Sequence, residues 1–256
     1  MPFAVGAVLF GLLAALASYF LGSINSAIIV TWSFHHTDVR EHGSGNAGMA
    51  NAFRTGGVRA AVLTFLGDLV KSVAAVAIGR YLLPLVLIHF TGLAVAAPHY
   101  AGVYWTIGEC GAYLCGLFCI IGHLYPIYYG FRGGKGIVAS AGMMLLVDWH
   151  CLAVCLVVFG IVFLATRIAS ASSIAAAFAL PFATFFLFGL SYPHAIYNPL
   201  PMGPRLFATL FSVVIMLVLL SSHKDNILRI FKGRERPLKV EESSESARET
   251  EKTAKR

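Results

Sequence analysis

Six runs of about twenty apolar residues dominate this sequence, near 4–30, 60–80, 107–127, 150–167, 172–190 and 204–222, with a shorter seventh at 136–148. An α-helix needs about 20 apolar residues to cross the hydrocarbon of a bilayer, where each backbone N–H and C=O must be satisfied within the segment. Composition agrees with that reading. Of 256 residues, 58% are hydrophobic and 12% charged, about half the charged share of a soluble domain. A cytosolic enzyme, a nucleic-acid module and a disordered regulator are excluded on that ground. The pattern predicts an all-α, polytopic integral membrane protein of about seven transmembrane helices, one of them short or broken. No basic residue precedes the first run, and it is longer than a signal-peptide core, so it reads as a retained first span.

The basic residues sort by side. The loop 33–59 carries Arg40, Arg54 and Arg59, the loop 128–135 carries Arg132 and Lys135, and Arg167 ends the run at 150–167. The alternate connections, 81–106, the turn near Asp148 and 191–203, are almost free of Lys and Arg, with Arg80 and Arg205 only at their edges. This bias places the N-terminus outside and the C-terminus in the cytoplasm. From His223 onward ten Lys/Arg stand against seven Asp/Glu. Residues 240–256 mix Glu, Ser, Thr, Lys and Arg with no apolar face, which predicts a disordered cytoplasmic tail following a single membrane-embedded domain at 1–239. The overall charge of +7 is too dispersed for a nucleic-acid surface, and no nucleic-acid partner is expected. The five cysteines all lie in apolar stretches without convergent His or acidic residues. They read as helix-packing residues, and no metal site is expected.

Polar and glycine-rich residues gather in three segments on the expected cytoplasmic side. The first runs from Gly43 through Ser44, Gly45, Asn46 and Asn51 to Arg54 and Gly57. Glycines let backbone N–H groups converge on an anion, and the arginine fork suits a phosphate. A flexible connector would need the glycines but not this density of donors. The second is Gly122-His123-Leu124-Tyr125-Pro126, leading to Gly133-Gly134-Lys135-Gly136 at a helix start. There the free N–H groups and the positive end of the helix dipole attract an anion. The spacing is not that of a Walker loop, so nucleoside triphosphate binding is not expected. The third holds His223, Asn226, Arg229 and Glu235, the first three spaced for one helix face. Basic residues also commonly flank a last membrane helix, and spacing alone does not separate the two readings. Asp68 and Lys71, three apart inside the second run, read both as an intrahelical ion pair and as a wall of a polar cavity. Two glycine loops with Arg54, Lys135 and Arg229 would suit two phosphate groups at a membrane surface. An organic-phosphate transporter would also need such groups.

The ordered set GSGNAGMANAFRTGG, Gly67-Asp68-Leu69-Val70-Lys71, GHLYP…FRGGKG, Arg167…Ser170…Ser173 and HKDNILRIFKGRE resembles the acyl-phosphate:glycerol-3-phosphate acyltransferases of bacterial membranes, the PlsY type. The likeness runs to about Pro237. Asn25 stands where that family usually has proline, Met49-Ala50 where it has Ala-Thr, and Arg132 replaces a common lysine. The stretch 90–106 and the tail look like additions. The resemblance implies acyl transfer from a fatty acyl phosphate to the 1-hydroxyl of glycerol 3-phosphate in the bacterial inner membrane, with no cofactor. It implies Ser44, Arg54, Lys135, His223, Asn226 and Glu235 as catalytic residues. Gly43, Gly45, Asn46, Asn51, Lys71, His123, Gly133, Gly134, Gly136 and Arg229 would bind substrate. The chain has no His followed five residues later by Asp, so either His223 or a phosphate oxygen of the donor would take the alcohol proton.

Overall fold

In the computed structural model, residues 1–92, 100–188, 190, 202–235 and 237 are described. Their regular structure is helical. Helix α1 (Phe3–Ser23) and α2 (Ser26–His35) form one span, broken where Asn25 turns extended and its side-chain oxygen accepts the Ile28 amide to start α2. Helix α3 (Met49–Ala77) kinks at Gly57, whose φ of 70° suits only glycine without strain. A π-helical turn at Ile78–Leu82 leads into α4 (Leu83–Thr91). There follow α5 (Tyr100–Leu124), α6 (Ile137–Val147), α7 (Trp149–Thr166), α8 (Ala169–Leu187), α9 (Met202–Ser222) and α10 (Lys224–Phe231).

Among the described residues six helical stretches are long and apolar enough to cross a membrane. The short seventh run becomes α6. At 1.5 Å per residue it is about 16 Å long, half of a ~30 Å hydrocarbon layer. Its last carbonyls would be orphans in an apolar interior. Arg80 meets them instead, Nη1 donating to Leu146 O at 2.5 Å, while Nη2 pairs with Glu109 at 2.7 Å. One residue later Asp148 accepts the His150 and Cys151 amides and starts α7. The expected tail, most of the 191–203 loop and residues 93–99 of the 90–106 stretch lie outside the described residues.

The core joins Val76, Tyr113, Ile120, Met143, Leu180, Ile215 and Leu219, from α3, α5, α6, α8 and α9. Small residues let helices approach closely, the usual device where lipid removes the hydrophobic drive between them. A Cβ at Gly22 of α1 would fall on the carbonyl of Cys119 in α5. Helix α7 is packed differently. It lies chiefly on α8 and keeps Leu156, Ile161 and Leu164 at 58%, 64% and 70% exposure. Ile161 and Leu164 are surfaces for lipid rather than water, whereas Leu156 faces a gap between α7 and α6.

Candidate active site

The three polar segments meet because backbone bonds tie them together. Asn25 Nδ2 donates to Ala47 O at 3.2 Å, and the Ala47 amide donates to Gly133 O at 3.3 Å. Arg40, braced by Asp38 at 2.7 Å, donates to Tyr129 O and Arg132 O. Asn25 thus both breaks the span and holds the first loop.

Within that loop Asn51 is buried and fully used. Its Nδ2 donates to Val39 O at 2.7 Å and His42 O at 3.0 Å, and its Oδ1 accepts the Ser44 amide at 2.8 Å. It shapes the turn that presents Ser44, with Gly43 and Gly45 at φ of 57° and 69°. In the second loop the Gly133 amide donates to Leu124 O at 3.1 Å and the Gly134 amide to His123 O at 3.0 Å. Those two donors pin the loop to the end of α5 and are not turned to a ligand. The amides available for an anion begin one step later. The first intrahelical bond of α6 runs from Ser140 N to Gly136 O, leaving the amides from Gly136 to Ala139 without helical partners.

The third segment closes over Lys135. Lys135 Nζ donates to Asn226 Oδ1 at 2.5 Å, Asn226 Nδ2 to Glu235 Oε1 at 2.5 Å, and Ser170 Oγ to the same oxygen at 2.6 Å. Arg229 Nε donates to Glu235 Oε2 at 2.6 Å. Glu235 reaches back because Gly233, at φ 62°, reverses the chain after α10 and the Arg234 amide bonds to Arg229 O. Burial opposes the Glu235 charge, but the bonds from Ser170, Arg229 and Asn226 outweigh it and hold the carboxyl below its usual range. Burial pushes the Lys135 ammonium down to about 8; Glu235 opposes this, and Arg229 and Arg54 add to it. Burial likewise pushes His223 down to about 4, against the bond to Leu219 O at 2.8 Å. A carbonyl only accepts, so His223 Nδ1 carries the ring proton and Nε2 the lone pair.

These groups line one cavity of about 950 Å³. Gly43, Ser44, Asn46, Asn51, Arg54, His123, Lys135, Gly136, His223, Asn226, Arg229 and Glu235 all border it. Gly45, Gly133, Gly134 and Lys71 do not; the last lies behind His123. Residues that spacing had not marked as site residues also line it. Ser170 and Ser173 do so from α8, and Phe65, Val138, Ala141, Phe159 and Phe163 make an apolar side. The sequence signal for the two serines was a hydroxyl cluster at the start of an otherwise apolar run. The apolar side had none, since those residues look like any lipid-facing helix. A smaller cavity of about 70 Å³ shares Ile137, Ala141, Leu156, Phe159 and Ser173 and reaches Met144 and Leu180. Arg229 neutralises Glu235. Arg54 has no hydrogen bond or ion pair with the described residues, so it faces a ligand together with Lys135 and Arg234, which also borders the cavity.

The family model described as glycerol-3-phosphate acyltransferase matches residues 12–233. A glycerol-3-phosphate acyltransferase of Chromobacterium violaceum is 34% identical over 86% of this chain and 91% of its own length. One from Pseudomonas fluorescens is 34% identical over 88% and 97%. Among solved structures, PlsY (YgiH), described as an integral membrane glycerol 3-phosphate acyltransferase, superposes in its glycerol 3-phosphate form with a TM-score of 0.66. The identity there is 27%, covering 90% of this chain and 96% of that one. Its lysophosphatidic acid form gives a TM-score of 0.63 at 26% identity, over 89% and 94%. Matches of this extent cover nearly the whole membrane domain, and the chain belongs to the glycerol-3-phosphate acyltransferase family.

Proposed function

We propose that this chain transfers the acyl group of a fatty acyl phosphate to the 1-hydroxyl of glycerol 3-phosphate, giving lysophosphatidic acid and phosphate. The observation that carries this reading is a single cavity with both required environments. One end holds Arg54, Lys135 and the open amides of α6; the other is an apolar trough between α6 and α7. Two anionic headgroups lie at the first, and the acyl chain lies in the second. Ser44, Arg54, Lys135, His223, Asn226 and Glu235 act on the reacting groups, with Asn226 and Glu235 orienting the Lys135 ammonium.

An acyl phosphate is an activated anhydride, so positioning and charge stabilisation supply the catalysis. The glycerol O1 forms a bond to the acyl carbon, and the bond from that carbon to the bridging phosphate oxygen breaks. Lys135 and Arg54 stabilise the departing phosphate. The alcohol proton passes to an oxygen of that phosphate. His223, held down to about 4 by burial, is too weak a base to compete and serves through its Nε2 lone pair as an acceptor that orients the hydroxyl. The cavity opens toward the cytoplasm of a bacterial inner membrane, with the N-terminus outside and residues 240–256 as a cytoplasmic tail on the 1–239 domain.

The test is incubation of purified protein with acyl phosphate and glycerol 3-phosphate, with acyl-CoA and acyl carrier protein as alternative donors. Lysophosphatidic acid is expected with acyl phosphate alone. Its absence there, or a requirement for acyl-CoA, refutes the reading.

A further inference from the structure

Asp68 and Lys71 are buried charges, 1% and 5% exposed; Asp68 borders the cavity and Lys71 does not. Its Nζ instead has three neighbours: Ile24 O at 2.6 Å, His123 Nδ1 at 3.0 Å and Asp68 Oδ1 at 2.9 Å. The Ile24 carbonyl is available because α1 and α2 are broken there. Asp68 Oδ1 lies off the line of an aligned hydrogen bond and is the counter-ion beside the Lys71 ammonium.

An ammonium has three protons and no lone pair, so each polar neighbour it bonds must accept. His123 Nδ1 therefore holds a lone pair toward Lys71, and the single proton of the neutral ring sits on Nε2. That nitrogen points the other way. It lies where the Cβ of any residue larger than glycine at 134 would fall, and the His123 residue borders the cavity that Lys135 also lines. Building on the acyltransferase reading, we infer that His123 is a substrate-contacting donor. Its Nε2–H meets a phosphate oxygen of the glycerol 3-phosphate held at the start of α6. Lys71 and Asp68 are positioning residues that fix the tautomer. Their charges cancel, so the site receives an oriented neutral donor rather than a further cation.

The experiment is ¹⁵N NMR of the histidine rings in the full chain, the His123 signal identified by its loss in His123→Gln. The proton is expected on Nε2, with that signal shifting when glycerol 3-phosphate is added without acyl donor. In Lys71→Met the proton moves to Nδ1, toward Asp68, which is 3.5 Å away. Asp68→Asn with Lys71→Met supplies a charge-neutral control should the single variant not fold, and in it the Nε2 preference is also lost. Kinetically, glutamine places an amide nitrogen near the Nε2 position and asparagine near Nδ1. His123→Asn should raise the glycerol 3-phosphate KM about ten- to hundredfold, the loss of one hydrogen bond to a charged group; His123→Gln should raise it about tenfold less. A proton on Nδ1 in the unaltered chain, or equal KM values for the two variants, overturns the inference. The tautomer needs no turnover, so a chain that makes no lysophosphatidic acid refutes the reaction without deciding the ring.

Discussion

Lys135 should set the alkaline limit of activity. Burial in the cavity wall, with Arg229 and Arg54 nearby, brings its ammonium from 10.5 down to about 8 despite the attraction of Glu235. The site needs the protonated form to hold an anion, so activity is lost as pH rises through that value, not as it falls. In the free enzyme, kcat/KM for glycerol 3-phosphate should drop about tenfold between pH 7 and pH 9, with its midpoint near 8. Bound phosphate favours the ammonium, so the kcat limb should lie further to the alkaline side. The assay is initial-rate release of inorganic phosphate at fixed ionic strength from pH 6 to 10. Two substitutions assign the limb. Lys135→Arg, charged beyond about pH 12, should abolish it whatever its effect on the absolute rate. Glu235→Gln removes the charge that supports the ammonium and should move the midpoint below 8. A flat profile between pH 7 and 9, or the same limb in Lys135→Arg, refutes the reasoning.

Other consequences follow from the packing. His223→Gln should leave the acidic side of the kcat/KM profile unmoved near neutral pH, because the ring is already neutral there with its value near 4; loss of a limb between pH 6 and 7 would restore it as the base. In Gly134→Ala the new Cβ meets the His123 ring and, at 2.7 Å, the Ala47 carbonyl. Thermal unfolding should show destabilisation of about 1–3 kcal/mol, with impaired activity. Ala141→Phe would fill the throat shared by the two cavities. Rates with long-chain acyl phosphates should then fall more than rates with short ones in a competition assay; an equal loss would place the acyl chain elsewhere.

Helix content, membrane residence and the three motif segments are local properties. Runs of apolar side chains, glycine clusters and their order all lie along the chain, so these were legible from residues alone, as was the family resemblance. Even the half-length of α6 was foreshadowed by Gly136 before it and Asp148 after it. The roles inside the site were not legible in the same way. Gly133 and Gly134 look like phosphate-binding donors in the sequence, yet their amides are taken by carbonyls of α5. Lys71 looks like one more cation for an anionic ligand, yet its protons face Asp68, Ile24 and His123. His223 looks like a base until burial is known. Each of these depends on partners placed by the fold, some a few residues away and some, like Ile24 and His123 for Lys71, on other helices, and hydrogen-bond direction and desolvation exist only once those partners are in place. The sequence alone determined that this chain enters a membrane and which polar groups its three motif segments carry. Which of those groups are free to meet a ligand was decided by the tertiary structure, because a donor already paired inside the protein is lost to the substrate.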